Sequence, residues 1–131
     1  MDMAAVVDDL LEISVIGSFS RIGYGVRRRL FGWTTPRAGS MVGRTVLLTG
    51  VTSGLGREAA GTLATFGARV ILAGRDEAKL QTVRDELVRI HGEDRFPVLV
   101  VDMASLASVC GAVERILATE SRLDEIGRAH V

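Results

Sequence analysis

Apolar residues are distributed along the chain in two alternating patterns. Short, almost wholly apolar runs are typical of buried parallel strands, and longer amphipathic stretches are typical of helices. The runs lie at 44–50, 68–75 and 96–103, and the amphipathic stretches lie at 55–67, 76–92 and 105–120. Strands and helices that alternate in this way form a parallel sheet with right-handed crossovers and helices on both faces. We therefore predict an α/β fold of the order β-α-β-α-β-α, the N-terminal half of a doubly wound parallel sheet.

Residues that start and stop helices occur where this assignment requires them. Asp76 and Ser105 precede the second and third helical stretches, where a side-chain oxygen caps the first turn. Gly67 and Gly92 follow the first and second stretches, at the position where a left-handed backbone conformation ends a helix. The second helix has one apolar face, formed by Leu80, Val83, Leu87 and Ile90.

The composition indicates a packed domain, and it gives no reason to predict a strongly charged binding partner. Of the 131 residues 47% are hydrophobic, and the formal net charge of zero gives no ground for predicting a nucleic-acid partner. The single cysteine, Cys110, is interpreted as a small core residue of the third helix. Together with the acidic start of the chain, it predicts a cytoplasmic rather than a secreted protein. His91 and His130 have no other metal-ligand residues around them in the sequence, so no metal site is predicted.

Residues 1–41 precede the regular pattern and are predicted to form an extension that ends in a linker. Within it, 4–16 has helical character, and 19–33 combines arginines with aromatic residues. Two interpretations of 19–33 stay open. It contacts a membrane surface, with arginines on lipid headgroups and aromatics at the interface, or it packs as a strap over the domain. A start at Met41 would remove the extension altogether.

The first predicted turn from strand to helix carries a glycine-rich motif. It reads Thr49-Gly50-Val51-Thr52-Ser53-Gly54-Leu55-Gly56, the pattern TGxxxGxG. Gly50 permits a sharp turn, Gly54 lets the backbone approach a pyrophosphate, and Gly56 lets the helix pack closely on the sheet. The N–H groups at the helix start favour phosphates, and the hydroxyls of Thr52 and Ser53 add donors. Since the motif lies between a strand and a helix, we predict that this whole segment binds a dinucleotide cofactor.

The end of the second predicted strand indicates which dinucleotide binds. An acid at this place holds the ribose 2′-hydroxyl of NAD, whereas an arginine accommodates the 2′-phosphate of NADP. The chain has Arg75 there, and the following Asp76 is explained as the cap of the next helix. A guanidinium offers two charge-assisted hydrogen bonds to a phosphate. We therefore predict NADP, as NADPH, rather than NAD; a solvated arginine at the strand end is the alternative.

Three segments, TGVTSGLGRE, LAGRDEAKL and VVDMASLASV, together resemble the short-chain dehydrogenase/reductase family, in particular its retinol-dehydrogenase-like branch. The resemblance covers 42–124 and implies the NADP-binding half of a Rossmann fold. It also implies that Asp102 bonds the adenine amino group and that Met103 contacts the adenine through its backbone. Asp102 equally suits a helix-initiating acid, and the two roles are compatible. The implied activity is interconversion of a small alcohol and a carbonyl by hydride transfer.

The family's catalytic residues have no counterparts in this sequence. The resemblance implies that they follow the fourth strand, as an Asn-Asn-Ala-Gly turn, a serine and a Tyr-x-x-x-Lys pair. The only tyrosine, Tyr24, precedes the cofactor motif and has Arg28 four residues on, so no catalytic residue is assigned. We expect cofactor binding without turnover. A non-catalytic dinucleotide-binding or interaction module is the alternative.

The last residues depart from the family's pattern. The approach to a fourth strand, 121–124, matches the family, but the match ends at Glu125. The remaining EIGRAHV, 125–131, corresponds to the translation of a common short-read sequencing adapter, GAG ATC GGA AGA GCA CAC GTC. The hypothesis is adapter read-through, and a natural polar tail is the alternative. In the strand order 3-2-1-4, loss of the fourth strand would leave the first as an exposed apolar edge, and we expect an aggregation-prone chain.

Overall fold

The computed structural model describes Gly32 and residues 36–92 and 95–128. The chain divides into two compact units, Met1–Pro36 and Arg37–Val131, and the elements below belong to the second. The predicted helix 4–16 and the arginine-rich segment 19–33 lie outside the described residues. Among the residues that are described, no helix is long and apolar enough to cross a membrane.

Strands and helices alternate along the second unit. They are β1 (Thr45–Thr49), α1 (Gly54–Thr65), β2 (Arg69–Gly74), α2 (Glu77–His91), β3 (Val98–Val100), α3 (Leu106–Thr119) and β4 (Glu125–Arg128). The predicted order is confirmed, and the helix bounds agree with the predicted ones to within two residues. β3 is shorter than predicted, although its flanks still pair with β2: the N–H groups of Val70 and Leu72 donate to the carbonyls of Arg95 and Pro97.

The strands form one parallel sheet in the order β3-β2-β1-β4. Alternate residues of a strand point to opposite faces, so Val70 and Leu72 are buried under α1 and α2, whereas Ile71 and Ala73 are buried on the α3 side. Burial on both faces is the usual state of a parallel sheet and explains the nearly continuous apolar sequence of β2. The structure is therefore the predicted half of a doubly wound fold.

The fourth strand, expected to be missing, is formed by 125–128. Glu125 pairs with Val46 and Arg128 with Thr49, so the expectation that β1 is an exposed edge is wrong. Strand pairing uses backbone N–H and C=O groups, which every residue here supplies whatever its side chain. The only large apolar residue of β4, Ile126, is 70% exposed, which is why the hydrophobic pattern gave little sign of this strand.

Two residues assigned to the core are exposed. Ile90 is 71% exposed, because the last turn of α2 places His91 on the core instead, with its ring 5.8 Å from that of Phe96. Cys110 is also exposed. It lies about 100° around the helix from Val109, the neighbour that packs against the α3-side core. The other predicted members of the α2 face are buried, namely Leu80, Val83 and Leu87.

Candidate cofactor site

A cleft of about 620 Å³ opens at the carboxyl ends of β1, β2 and β3. Its lining consists of Thr49, Gly50, Thr52, Gly74, Arg75, Asp76, Lys79, Val101, Asp102, Met103, Ala104 and Arg128. In open α/β sheets, ligands bind outside the carboxyl ends of the strands, so this cleft is in the expected place. We refer to it as the cofactor cleft.

The cofactor cleft brings together predicted residues from three separate segments. Those that line it are Thr49, Gly50, Thr52, Arg75, Asp102 and Met103. The remaining predicted residues, Ser53, Gly54, Leu55 and Gly56, are not part of the lining. They continue from the β1 turn into the first turn of α1, which begins at Gly54. The binding role of each of these residues stays a prediction.

The turn between β1 and α1 has the backbone geometry that its glycines were predicted to supply. Gly50 has φ 74° and Gly54 has φ 44°, both in the left-handed region that favours glycine. Ser53 is the N-cap residue, but its side chain makes no capping hydrogen bond. The first turn of α1 also contains no acid. The N–H groups at this helix start therefore remain available to an anion.

Two cations line the cofactor cleft where β2 passes into α2. The guanidinium of Arg75 forms no hydrogen bond or ion pair within the described ranges. Asp76 caps α2 as predicted, its Oδ1 accepting from the N–H of Lys79 at 3.1 Å. The Nζ of Lys79 lies 3.8 Å from Asp76 Oδ2. Sequence reasoning did not assign Lys79, because a lysine in the first turn of a helix is ordinarily only a solvated charge.

Asp102 is held by the turn that follows β3. Its Oδ1 accepts from the N–H of Ala104 at 3.0 Å, and its own N–H donates to Ser108 Oγ at 2.9 Å. The N–H of Ser105 donates to the Asp102 carbonyl at 3.1 Å. These bonds support the helix-initiating interpretation of Asp102. They use only one of its carboxylate oxygens, so contact with an adenine amino group remains compatible with them. Met103 follows at the rim and is 65% exposed.

β4 adds an arginine to the cofactor cleft. Arg128 pairs with Thr49 in the sheet and lines the cleft, and it was not among the predicted site residues. The start of β4 is held against the first residue of β1, Thr45, at the end of the strand away from the cofactor cleft. There Asp124 Oδ2 accepts from the N–H of Thr45 at 2.8 Å, and the Asp124 N–H donates to the Thr45 carbonyl at 2.8 Å. The register of β4, and with it the place of Arg128, follows from this double contact.

A parallel sheet with a glycine-rich turn after its first strand, facing a cleft at the strand ends, defines an α/β domain that binds dinucleotides. The family profile described as short chain dehydrogenase matches residues 44–126. The chain belongs to the short-chain dehydrogenase/reductase family, a family of oxidoreductases that bind NAD or NADP.

Named relatives include retinol dehydrogenases. Retinol dehydrogenase 14 of Mus musculus is 41% identical over 96 residues, which cover 66% of this chain and 29% of that protein. Retinol dehydrogenase 13 of Homo sapiens is 31% identical over 119 residues, which cover 88% and 35%. The chain thus spans about a third of the length of these relatives. The resemblance to the retinol-dehydrogenase-like branch is confirmed.

A solved structure supports the same assignment. The crystal structure of a short chain dehydrogenase from Escherichia coli CFT073 complexed with NADPH matches with a TM-score of 0.65 and 33% identity. The match covers 72% of this chain and 40% of that one.

Proposed function

We propose that this chain is the cofactor-binding half of an NADP-dependent oxidoreductase that interconverts an alcohol and a carbonyl. The observation that carries the proposal is the cofactor cleft, which collects the glycine-rich turn after β1, Arg75 after β2 and Asp102 after β3. The names of the retinol dehydrogenase relatives support alcohol–carbonyl chemistry, and NADPH in the related E. coli structure supports the cofactor.

Each part of the cofactor has a proposed place in the cleft. The pyrophosphate lies over the Gly50–Gly56 turn, where each contact between its charge and the α1 dipole contributes about 0.3–1 kcal/mol. The 2′-phosphate lies beside Arg75 and Lys79, and the adenine lies against Asp102 and Met103. The bound cofactor supplies the hydride, and the residues of this chain bind and orient it.

The preference for NADP is tested by titrating NADPH and NADH against the purified chain. We expect tighter binding of NADPH by about tenfold, the low end of the 1.5–3 kcal/mol that a charged hydrogen bond contributes, because Arg75 is exposed. Arg75→Glu should remove this preference, since a carboxylate repels the 2′-phosphate. Arg89→Glu, the same charge reversal at an exposed position late in α2, is the matched control. Equal affinities for both dinucleotides, unchanged by Arg75→Glu, would refute the assignment.

Lys79 provides a second test of the same cleft. Lys79→Gln should weaken NADPH by about threefold to tenfold and leave NADH unchanged, because only NADPH carries the 2′-phosphate. The NADH titration also checks the fold, since damage to the α2 cap beside Asp76 would weaken both dinucleotides. An equal loss for NADPH and NADH would exclude a phosphate contact at Lys79.

We further propose that residues 1–131 bind cofactor without turnover. Residues 1–41 are proposed to be an extension and 42–124 the cofactor-binding half-domain. Residues 125–131 are proposed to be adapter read-through, although 125–128 pair with β1 as β4 and Arg128 lines the cofactor cleft. A second candidate is a non-catalytic dinucleotide-binding or interaction module, because the cofactor cleft by itself requires only that a dinucleotide binds. The coding sequence past codon 124 distinguishes the two. A Tyr-x-x-x-Lys segment in frame supports the oxidoreductase, and its absence supports the module. Codons 125–131 that differ from the adapter at several places would refute read-through. Reduction of a carbonyl by the purified chain would refute the proposal that it is inactive.

A further inference from the structure

A second cleft, of about 510 Å³, lies at the opposite end of the strands from the cofactor cleft. Its lining consists of Val42, Gly43, Arg44, Thr45, Gly67, Arg69 and Arg95. The sheet sets this grouping, because the N–H of Arg69 donates to the carbonyl of Arg44 at 3.0 Å, and that of Val70 to the carbonyl of Arg95 at 2.8 Å. Arginines at the starts of three adjacent chain segments therefore share one cleft, which we call the arginine cleft. No described acid lines it.

The described acids near the arginine cleft are already engaged. Glu120 accepts from Nε and from Nη2 of Arg69, each at 3.0 Å, and its side chain is only 9% exposed. Asp124 interacts electrostatically with Arg44, but its carboxylate already accepts from the Thr45 N–H and pairs with Arg122. These contacts orient Arg69 and balance part of the charge.

Arg44 and Arg95 add further positive charge to the same cleft. Arg44 is exposed, and its guanidinium forms no hydrogen bond or ion pair in the part of the chain that the structure describes. The described acids nearest this cleft, Glu120 and Asp124, pair with Arg69 and Arg122, so the charge of Arg44 is not paired with a described acid. Like charges held close together repel, and a bound anion offsets that repulsion.

We propose that the arginine cleft binds a phosphate group. The planar fork of a guanidinium matches phosphate oxygens two at a time, and clusters of arginines recognise phosphate in proteins. The cleft volume falls within the range of about 300–1,000 Å³ that small-ligand sites occupy. A soluble phosphomonoester and a phospholipid headgroup present the same chemistry. This site is separate from the cofactor cleft, and the proposal holds whether or not NADP is the cofactor.

The first test is a titration of the chain with inorganic phosphate, in which NMR measures the chemical shifts of the backbone amides. Chloride keeps the ionic strength constant during the titration. We expect saturable shifts at residues 43–45, 67 and 69. Arg44→Gln should weaken binding about tenfold, the loss of one charged hydrogen bond, whereas Arg89→Gln should not change it. Among the described residues the Arg44 guanidinium forms no hydrogen bond or ion pair, so the variant should fold normally, which an unchanged spectrum elsewhere would show.

The location of the shifts separates this site from the cofactor cleft. Phosphate shifts confined to residues 49–54 and 75–79 would assign the anion to the cofactor cleft and overturn the proposal. A linear response without saturation, or an equal effect of Arg44→Gln and Arg89→Gln, would also overturn it. Saturable shifts that persist in Arg75→Glu support it, because that variant removes the 2′-phosphate contact and leaves the arginine cleft intact.

The second test identifies the source of the phosphate group. The chain is sedimented with phosphatidylcholine vesicles that contain or lack phosphatidic acid. Binding that needs phosphatidic acid, and falls in Arg44→Gln but not in Arg89→Gln, indicates a lipid headgroup. Saturable binding of inorganic phosphate without vesicle binding indicates a soluble phosphomonoester. Vesicle binding that Arg44→Gln does not alter, without saturable phosphate binding, would place the lipid contact elsewhere and overturn the proposal.

Discussion

Asp124 joins β4 to β1 through both its main chain and its side chain. Its N–H donates to the Thr45 carbonyl, and its Oδ2 accepts from the Thr45 N–H. The Thr45 N–H, followed by the Arg122 side chain, lowers the pKa of the Asp124 carboxyl below its ordinary value of 3.8. Both contacts favour the ionised form, so the folded state is more stable when Asp124 carries its charge.

This lowered pKa gives the first prediction at the residue scale. A carboxyl whose pKa is lower in the folded state contributes stability that is complete above its ordinary pKa and is lost as the pH falls through the folded value. Asp124→Asn should therefore lower the free energy of unfolding near neutral pH and flatten its fall below about pH 4. Urea denaturation across that pH range measures both effects.

The matched control is Asp85→Asn, which removes a carboxylate whose side chain is 73% exposed on α2. It should leave the free energy of unfolding nearly unchanged, since exposed ion pairs contribute at most about 1 kcal/mol. If Asp124→Asn and Asp85→Asn show the same acid profile, the contact between Asp124 and Thr45 does not stabilise the fold as argued.

At the scale of elements, α2 shows that a residue on the predicted apolar face of a helix is not always buried. Leu80 is fully buried between the helix and the sheet, whereas Ile90 on the same predicted face is 71% exposed. Leu80→Ala should lower the free energy of unfolding by about 2–5 kcal/mol, through lost burial and a cavity. Ile90→Ala should change it by no more than about 0.5 kcal/mol. Similar losses in urea denaturation for both variants would contradict the packing described for α2.

The same helix shows what the sequence could and could not predict. Its ends were predictable because Asp76 and Gly92 act locally: the Asp76 carboxylate accepts from the Lys79 N–H, and Gly92 ends the helix at φ 70°. The exposure of Ile90 was not predictable from helical spacing, because the neighbouring His91 packs near Phe96 in the last turn instead. β4 was missed for a related reason, since its pairing with β1 depends on backbone groups.

Some residues of the cofactor cleft could be predicted from the sequence, namely those whose residue type has a conformational or chemical role at that position. The glycines of the β1–α1 turn and Arg75 at the end of β2 are such cases, and the structure places Gly50 and Arg75 in one cleft. Lys79 and Arg128 reach the same cleft only through the packing of α2 and the pairing of β4. Their positions in the sequence carry no signal of that proximity.

At the scale of the whole molecule, the α3 side of the sheet is incompletely covered. Leu106 is 79% exposed, Leu117 is 76% exposed and Val113 is 49% exposed, while Ile126 of β4 is 70% exposed. Clustered apolar exposure of this kind promotes self-association, more strongly than single exposed residues do. The expected aggregation of the chain therefore has a defined surface, although β1 is not the exposed edge.

Replacing residues of that surface tests this explanation of aggregation. The double variant Val113→Gln with Leu117→Gln should lower light scattering at a given protein concentration, because both side chains lie on the exposed face of α3. It should change the free energy of unfolding by no more than about 1 kcal/mol, since neither residue is buried. Ile90→Gln, at an exposed site on α2, is the control and should change scattering much less. Equal scattering from the double variant and the unsubstituted chain would show that self-association proceeds through another surface, with the outer edge of β4 the next to be tested.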